Sequence, residues 1–304
     1  MNDVHICLIS DNNYVMPTKV LIKSLIVNKK NDTKYYIHIL SDNIKNDLQQ
    51  DLKTLSNKNI IIDILNIENP YSNLRNINKY VTNAAFLKFD IPFILNQIDK
   101  VIYLDVDIIV QEDLKNLYNI DLQNTYAGVV EDFTIIKFQQ RNKELGLKHY
   151  FNSGVMLLNL KKIREEHLNK KMLEIYIENG ENFYCHDQDV LNLVFKDNIT
   201  ILNPKYNWIV ANFDFFKKSF ENYYKIEKQD YDISNISIIH YVRLKPWSYR
   251  TIPYQKIWQY YYDLLFTIDL KLKTSYLMNA YYFLRGHFML KMIDKIIKKL
   301  KLHS

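Results

Sequence analysis

Tyr103-Leu-Asp-Val-Asp107 lies within an apolar run that begins at Val101 and continues to Val110, and two acids interrupt this run. Such a run predicts a strand buried on both faces, as in a parallel sheet. Side chains two residues apart on an extended chain point to the same side, so Asp105 and Asp107 could share one hard cation. Burying both without a counter-ion would be costly. A second interpretation stays open at this point: Asp107 caps the next turn and Asp105 pairs with a lysine.

The positive charge of the chain is concentrated at one end. The 304 residues carry 40 Lys/Arg and 34 Asp/Glu, a formal net charge of +6. Residues 281–304 hold six of the bases and one of the acids, which leaves 34 bases and 33 acids for residues 1–280. A nearly neutral body argues against a nucleic-acid-binding domain, so no nucleic-acid partner is expected.

Cysteine usage and hydropathy predict a cytoplasmic, globular protein. Cys7 and Cys185 are the two cysteines, too few for a disulfide framework. The first residues lack the basic start and apolar core of a signal peptide. No stretch approaches the roughly 20 apolar residues that a membrane span needs.

Strand and helix patterns alternate along the chain. Strands are predicted at residues 6–10, 35–40, 59–65, 101–110, 127–132 and 235–241. Helices are predicted from Pro17 and over residues 43–57, 83–95 and 249–280. This alternation predicts an α/β fold with a parallel sheet.

Polar clusters lie next to several of these elements. They are Asp11–Tyr14 after the first strand, Asn152–Gly154 before an apolar strand, His186–Asp189 at a helix start, and His240 with Lys245 near the last strand. Open α/β sheets bind nucleotides at such strand ends, although no Gly-x-Gly-x-x-Gly or Walker loop occurs here. Taken singly, each cluster could be a turn, a helix cap or a satisfied core histidine, and Glu131 and Asp132 could be solvated turn residues.

Five sequence blocks together resemble glycosyltransferase family 8, and within it the bacterial lipooligosaccharide α-galactosyltransferases. The blocks are Ser10–Tyr14, Tyr103–Val110, Tyr150–Val155 with Leu157–Lys162, His186–Asp189, and His240-Tyr241 with Lys245–Trp247. They occur in the family's order and cover roughly residues 3–250. The resemblance implies the GT-A (Rossmann-like) fold, a mixed, mostly parallel central sheet flanked by helices, over residues 1–270.

The same resemblance implies a metal site and a nucleotide-sugar donor. Asp105, Asp107 and His240 would bind Mn²⁺ or Mg²⁺, and two carboxylates with an imidazole suit Mn²⁺ better than Ca²⁺. The donor would be UDP-galactose or UDP-glucose. The matching donor-binding positions are Ile9, Asp11, Asn13, Tyr14, Lys88, Val106, Asn152 and Lys245.

The resemblance also implies catalytic positions. Asp187 and Gln188 match residues that line the sugar, and Asp132 matches a site near donor and acceptor. An amide oxygen is a feeble nucleophile, so we predict retention by same-face transfer, with Gln188 and Asp187 stabilising positive charge on the sugar.

Two departures from the family pattern affect these expectations. Lys88 replaces the usual arginine, which keeps the charge but not the forked geometry that orients a sugar. The loop between His240 and Lys245 has no glycine; Arg243 in that loop could contact a phosphate, or the loop could be reshaped.

Residues 271–304 predict a basic amphipathic helical tail. Met289, Ile293, Ile296, Ile297 and Leu300 share one helix face, and Lys291, Lys295, Lys298 and Lys299 share the other. This pattern is typical of a helix lying on anionic lipid, and a basic helix docked on the domain is the alternative. It predicts a peripheral location on the inner face of the cytoplasmic membrane, with a lipooligosaccharide, lipopolysaccharide-core or lipid-linked glycan as acceptor.

Three other functions stay open from the sequence. A glycogenin-like enzyme would glycosylate a tyrosine of its own chain. A nucleotide-sugar hydrolase or nucleotidyltransferase would use the same carboxylates without a sugar acceptor. A non-catalytic glycan-binding relative would not need the intact set Asp105, Asp107, His240 and Gln188.

Overall fold

A computed structural model describes residues 3–68, 70–71, 83–132, 138–210, 235–243, 245–247 and 252–266. Its strands, in chain order, are β1 (Asp3–Ile9), β2 (Lys34–Ser41), β3 (Ile60–Asn66), β4 (Lys100–Leu104), β5 (Ile108–Val110), β6 (Ala127–Glu131), β7 (Phe151–Asn159), β8 (Ile199–Ile201), β9 (Trp208–Ile209) and β10 (Ile238–His240).

The central sheet has seven strands in the order β3-β2-β1-β4-β7-β6-β8. Strand β1 pairs in parallel with β2 and β4, and the pairs β2–β3 and β6–β8 are also parallel. Strand β7 runs antiparallel to both of its neighbours, β4 and β6. The predicted mixed, mostly parallel sheet is therefore confirmed.

Helices flank this sheet. They are α1 (Val15–Asn28), α2 (Asn46–Lys53), α3 (Ile91–Ile94), α4 (Lys115–Tyr118), α5 (Phe138–Leu145), α6 (Leu160–Glu165), α7 (Leu168–Asn179), α8 (Asp187–Phe195) and α9 (Gln255–Phe266), with 3-10 turns at Asn83–Phe89, Gly180–Asn182 and Pro204–Asn207. The helix predicted over 83–95 is divided into a 3-10 turn and α3. Pro92 lies in the first turn of α3, where its missing N–H leaves no helical hydrogen bond unmade.

The apolar run of residues 101–110 forms two strands, so the prediction of one continuous strand was wrong. The Asp105 N–H donates to the Gly154 carbonyl at 2.8 Å, which continues the β4–β7 pairing. Two residues later the Asp107 carbonyl accepts from the Tyr241 N–H at 3.0 Å. The chain thus changes partner between the two aspartates, and β5 joins a separate three-stranded sheet in the order β5-β10-β9.

Alternate side chains of the central strands bury opposite faces of the main sheet. Ile102 and Leu104 pack in one hydrophobic cluster, while Val101 and Tyr103 pack in the other. Strand β1 divides in the same way, with Leu8 on the first face and Cys7 on the second. Because both faces are covered, polar groups of these strands are available only at the sheet's edges and strand ends.

The C-terminal part of the chain is described only as far as α9. Among the described residues, no helix is long and apolar enough to cross a membrane. The chain divides into two units between Leu265 and Phe266. The boundary predicted at residue 270 and the basic helical tail of residues 271–304 fall outside the described residues and stay predictions.

Candidate active site

The topology brings the polar clusters to one edge of the sheet. Asp11 follows β1, Asp105 follows β4 and Asp132 follows β6, at the carboxyl ends of strands that run the same way. Strand β7 runs in the opposite direction, so its first residues, Asn152–Gly154, lie at the same edge. A cleft of about 810 Å³ opens there, a volume usual for a small-molecule site.

Two carboxylates and an imidazole meet at the floor of this cleft. One ligand atom from each of Asp105, Asp107 and His240 lies within 4.8 Å of the others. His240 Nε2 is 3.2 Å from Asp107 Oδ1 and 3.8 Å from Asp105 Oδ2. His240 reaches this position because β10 pairs with β5, immediately after Asp107. Two oxygen donors and one nitrogen, with open positions facing the cleft, suit Mn²⁺ or Mg²⁺.

Gly154 gives this cluster its space. A Cβ at this position would lie 2.2 Å from His240 Cε1 and 2.7 Å from Asp105 Oδ2, closer than real atoms approach. Any side chain here would occupy the volume between the ligand atoms. The absence of a side chain at Gly154 therefore lets the backbone of β7 lie close to Asp105 and His240.

Two lysines lie on either side of the carboxylate pair. Burial alone would raise the pKa of Asp107, but Lys245 and His240 outweigh burial and hold that pKa well below its usual value. Lys88 Nζ lies 3.3 Å from Asp105 Oδ1 and 2.8 Å from Asp187 Oδ2. Burial would lower the pKa of Lys88, but these two carboxylates raise it above its usual value, so Lys88 stays charged. The lysine partner considered for Asp105 thus exists, and Lys88 contacts the same carboxylate that would bind a metal ion.

A buried amide network forms the opposite wall. Gln188 Oε1 accepts from the Ser153 N–H at 3.0 Å and from Asn152 Nδ2 at 3.1 Å. Gln188 Nε2 donates to Asp132 Oδ2 at 3.0 Å, and so does Asn152 Nδ2 at 3.1 Å. Asp132 is only 2% exposed, so its interpretation as a solvated turn residue was wrong.

The position of His186–Asp189 follows from the start of α8. His186 occupies the N-cap position of α8, as one of the two predicted caps, but its side chain makes no capping hydrogen bond. Asp187 accepts from Lys88 and from Ser153 Oγ at 3.2 Å, which turns its carboxylate toward the cleft.

Tyr14 lines the cleft and contacts Trp247, which lies outside the lining. The Asp11 carboxylate accepts from the N–H groups of Asn13 and Tyr14 at 2.8 and 3.1 Å, which fixes the turn into α1. Tyr14 lies edge-on to Trp247 with 6.3 Å between ring centroids, and Trp247 is 37% exposed. This pair offers flat apolar surface beside Lys245, whose ammonium lies 6.0 Å from the Trp247 ring.

The predicted site residues lie together, although two of them, Asn13 and Asp132, do not line the cleft. Those that line the cleft are Ile9, Asp11, Tyr14, Lys88, Asp105, Val106, Asp107, Asn152, Asp187, Gln188, His240 and Lys245. Asn13 is exposed, and its backbone N–H donates to the Asp11 carboxylate. The structure gives these positions; the roles assigned to them stay predictions.

Asn207 is a site residue that the sequence did not indicate. It ends the 3-10 turn Pro204–Asn207 and is 2% exposed. Asn207 Oδ1 lies 2.9 Å from His240 Nδ1, and Asn207 Nδ2 donates to Asn152 Oδ1 at 2.9 Å. No residue spacing marks such a position, because it depends on β9 lying beside β10.

A mixed sheet with a carboxylate pair after its central strand defines the GT-A class of fold. The chain belongs to glycosyl transferase family 8, whose family profile matches residues 5–251.

Individual relatives agree with this assignment. Glycosyltransferase GlyF of Streptococcus pneumoniae is 28% identical over 85% of this chain and 61% of its own. Lipopolysaccharide 1,2-glucosyltransferase of Escherichia coli is 27% identical over 81% of this chain and 79% of its own. The chain thus spans less than two thirds of GlyF. The crystal structure of the galactosyltransferase LgtC, in complex with donor and acceptor sugar analogs, has a similar fold, with a TM-score of 0.75 at 23% identity over 88% of this chain and 98% of that one.

Proposed function

We propose that this protein is a metal-dependent, retaining glycosyltransferase that moves galactose or glucose from UDP to a glycan acceptor. The observation that carries the proposal is one cleft with Asp105, Asp107 and His240 on its floor and Gln188 on its wall. Family membership gives the class of reaction, and the volume and polar lining of the cleft support binding of a nucleotide sugar.

The donor's nucleotide would lie near Tyr14 and Trp247. Tyr14 and Trp247 offer flat surface to uracil, and the first turn of α1 lies beside them. Lys245 is the cation nearest to the expected diphosphate on this side, and Arg243 also lines the cleft. The hexose would then reach the wall formed by Asn152, Asp187 and Gln188.

The proposed metal ligands fit Mn²⁺ or Mg²⁺. When bound, the ion supplies positive charge that favours departure of UDP. Asp105 and Asp107 bring two negative charges close together, and Lys88 and Lys245 offset them. Lys245 can also contact a phosphate oxygen, where developing negative charge on the leaving group strengthens the interaction.

The acceptor is proposed from the relatives rather than from the cleft. The Escherichia coli relative is a lipopolysaccharide 1,2-glucosyltransferase, so a lipopolysaccharide-core or lipooligosaccharide glycan is the acceptor class we favour. Synthesis of such a glycan at the inner face of the cytoplasmic membrane agrees with the location that the basic tail predicts.

A donor screen tests this function. The protein is incubated with each of several UDP-sugars, with Mn²⁺ or with EDTA, and release of UDP is measured. We expect turnover with UDP-galactose or UDP-glucose, its loss in EDTA, and its return with Mn²⁺. Asp107→Ala should remain inactive, whereas Asp63→Ala, which changes an exposed aspartate of β3, should behave as the wild type.

Addition of a glycan acceptor completes the test. UDP release should accelerate, and the first-formed product should be the α-anomer. Full turnover in EDTA would contradict the metal assignment. A β-linked product would contradict retention, and labelling of the protein itself would favour the self-glycosylating alternative.

A further inference from the structure

The direction of each hydrogen bond in the buried amide network can be derived from groups that have a single role. A backbone N–H can only donate, and an ionised carboxylate can only accept. The Gly154 N–H lies 3.0 Å from one terminal atom of Asn152, so that atom is the oxygen, Oδ1. Asn152 then presents its NH₂ group to Asp132, which agrees with the carboxylate's role as acceptor. Both ends of Asn152 are thereby assigned.

The assignment of Asn152 extends to Asn207. Asn152 Oδ1 lies 2.9 Å from a terminal atom of Asn207, which must be the NH₂ group because an oxygen cannot donate. The remaining terminal atom of Asn207 is its oxygen, and it lies 2.9 Å from His240 Nδ1. Nδ1 must therefore carry a hydrogen. In the neutral imidazole, Nε2 is left with a lone pair that faces Asp105 and Asp107.

Burial makes this order of hydrogen bonds hard to exchange. Asn207 and His240 are each 2% exposed, and Asn152 is 5% exposed. Reversing one amide would place two donors or two acceptors against each other without water to separate them, which costs about 1–3 kcal/mol per unsatisfied group. The backbone supports the arrangement as well, since the Val210 N–H donates to the His240 carbonyl at 3.0 Å.

We propose that Asn207 is a positioning residue that holds His240 in the tautomer with Nε2 free to bind the metal. The proposal rests on the proposed function, and it adds a residue that does not line the cleft. Without Asn207 Oδ1, the imidazole hydrogen would prefer Nε2, where two carboxylates accept it, and the nitrogen would be blocked as a ligand. Outer contacts of this kind change metal affinity by about 10- to 100-fold.

Asn207 also joins the two halves of the site. Its oxygen holds the metal ligand His240, and its amide holds Asn152, which in turn donates to Gln188. Asn207→Asp separates these functions, because it keeps an acceptor for His240 but loses the donor to Asn152. Asn207→Leu removes both at similar volume.

The first test reads the tautomer directly. Long-range ¹H–¹⁵N NMR of the metal-free protein, at a pH where the ring is neutral, shows which nitrogen of each histidine carries hydrogen. His240→Gln identifies the His240 signals. We expect hydrogen on Nδ1 in the wild type and in Asn207→Asp, and hydrogen on Nε2 in Asn207→Leu. Hydrogen on Nε2 in the wild type would overturn the proposal.

The second test measures binding of Mn²⁺ alone. Asn207→Leu should weaken the affinity about 10- to 100-fold, while Asn207→Asp should stay close to the wild type. Asn142→Leu is the matched control, because Asn142 is another buried asparagine whose amide donates to the Lys148 carbonyl, outside the network. It should leave both the Mn²⁺ affinity and the His240 tautomer unchanged.

The two tests distinguish a failure of the proposed function from a failure of the role proposed for Asn207. If the wild type binds no Mn²⁺, the metal-dependent function is wrong, and the tautomer of the metal-free protein still decides the role of Asn207. If Asn207→Leu retains both the tautomer and the affinity, Asn207 is only structural. Should Asn207→Leu fail to fold, the wild-type tautomer and the retained affinity of Asn207→Asp remain decisive.

Discussion

Lys88 keeps the positive charge of the arginine that the family usually has at this position. Its ammonium contacts Asp105, Asp187 and Ser153, so it connects the end of β4 to the start of α8 and to β7. An arginine would make forked contacts with one carboxylate, whereas lysine distributes its three donors singly. The charge of the usual family arginine is therefore kept without its forked geometry, and Asp187 is the carboxylate that Lys88 contacts most closely.

Arg243 occupies the loop in which the family pattern has a glycine. Its φ angle is +63°, the left-handed conformation that glycine adopts without strain. For a residue with a Cβ this conformation costs roughly 1–2 kcal/mol. The loop therefore keeps a glycine-like backbone at some cost, and Arg243 places a guanidinium on the cleft's lining.

The side-chain oxygen of Gln188 is already hydrogen-bonded, which bears on its expected role in catalysis. Both hydrogen-bonding positions of its oxygen are occupied by the Ser153 N–H and Asn152 Nδ2, which weakens an already feeble nucleophile. Same-face transfer, with Gln188 stabilising charge, is therefore the mechanism we expect. Gln188→Ala should lower turnover roughly 10- to 100-fold, a loss of about 1.4–2.7 kcal/mol in transition-state stabilisation.

The affinity for the donor separates this role from simple binding. It should change little in Gln188→Ala, because the residues proposed to contact uracil and diphosphate, Tyr14 and Lys245, are left intact. A loss of affinity as large as the loss of turnover would mean that Gln188 binds ground state and transition state alike. A trapped glycosyl-enzyme would contradict same-face transfer.

Elements were predictable from the sequence where periodicity or residue type repeats along a stretch. Strands β2 and β3 begin and end within one residue of their predicted bounds, and β1 begins three residues earlier than predicted, because each strand contains recurring apolar residues. The change of sheet between Asp105 and Asp107 was not predictable. An apolar run has the same sequence pattern whether all of it pairs with one strand or its two halves pair with different strands. Partner choice is a tertiary property.

The site was predictable to the extent that it follows strand ends. The cluster of Asp105, Asp107 and His240 rests on short motifs in a familiar order, and the structure places these residues together. The burial of Asp132 and the contact of Asn207 with His240 depend on packing between distant segments. Single polar residues carry no periodic signal, so sequence reasoning could not find them.

Gly154 places strand β7 against the candidate metal site. It lies early in β7, opposite the end of β4, and the space a side chain would need is occupied by His240 and Asp105. Gly154→Ala should move His240, abolish measurable Mn²⁺ binding and stop turnover. The strand should survive, because β7 pairs with both β4 and β6 over many residues.

A second glycine provides the control. Gly128 in β6 meets only the flexible ends of Leu122 and Leu202, at 3.1 Å. Gly128→Ala should cost some stability but leave Mn²⁺ binding intact. Calorimetric titration with Mn²⁺ and thermal melting of both variants make the comparison. Normal Mn²⁺ affinity in Gly154→Ala would show that the ion does not bind between these residues.

Positive charge is distributed unevenly along the whole chain. Residues 281–304 hold six Lys/Arg against one acid, while the rest of the chain is nearly neutral. These residues lie outside the described part of the chain, so the case for a membrane-binding tail rests on the spacing of its lysines and apolar residues. An acceptor carried on lipid would give such a tail a purpose, because binding at the membrane concentrates enzyme and acceptor on one surface.

Deleting residues 281–304 tests the tail without touching the cleft. The shortened protein should fold and still release UDP from its donor, since the blocks that form the site end before residue 250. Sedimentation with liposomes of anionic lipid should be strong for the full chain and lost in the deletion. Binding by the full chain should also fall as salt is raised, because salt screens charges at the surface.

A charge variant distinguishes the two faces of the proposed helix. Replacing Lys291, Lys295, Lys298 and Lys299 by glutamine keeps the apolar face and removes most of the attraction to anionic lipid, worth about 1 kcal/mol for each lysine near the surface. This variant should bind anionic liposomes as weakly as the full chain binds neutral ones. If it binds like the wild type, apolar burial alone anchors the tail. If the deletion itself binds like the full chain, the membrane contact lies elsewhere and the tail is the docked surface helix that the sequence left as the alternative.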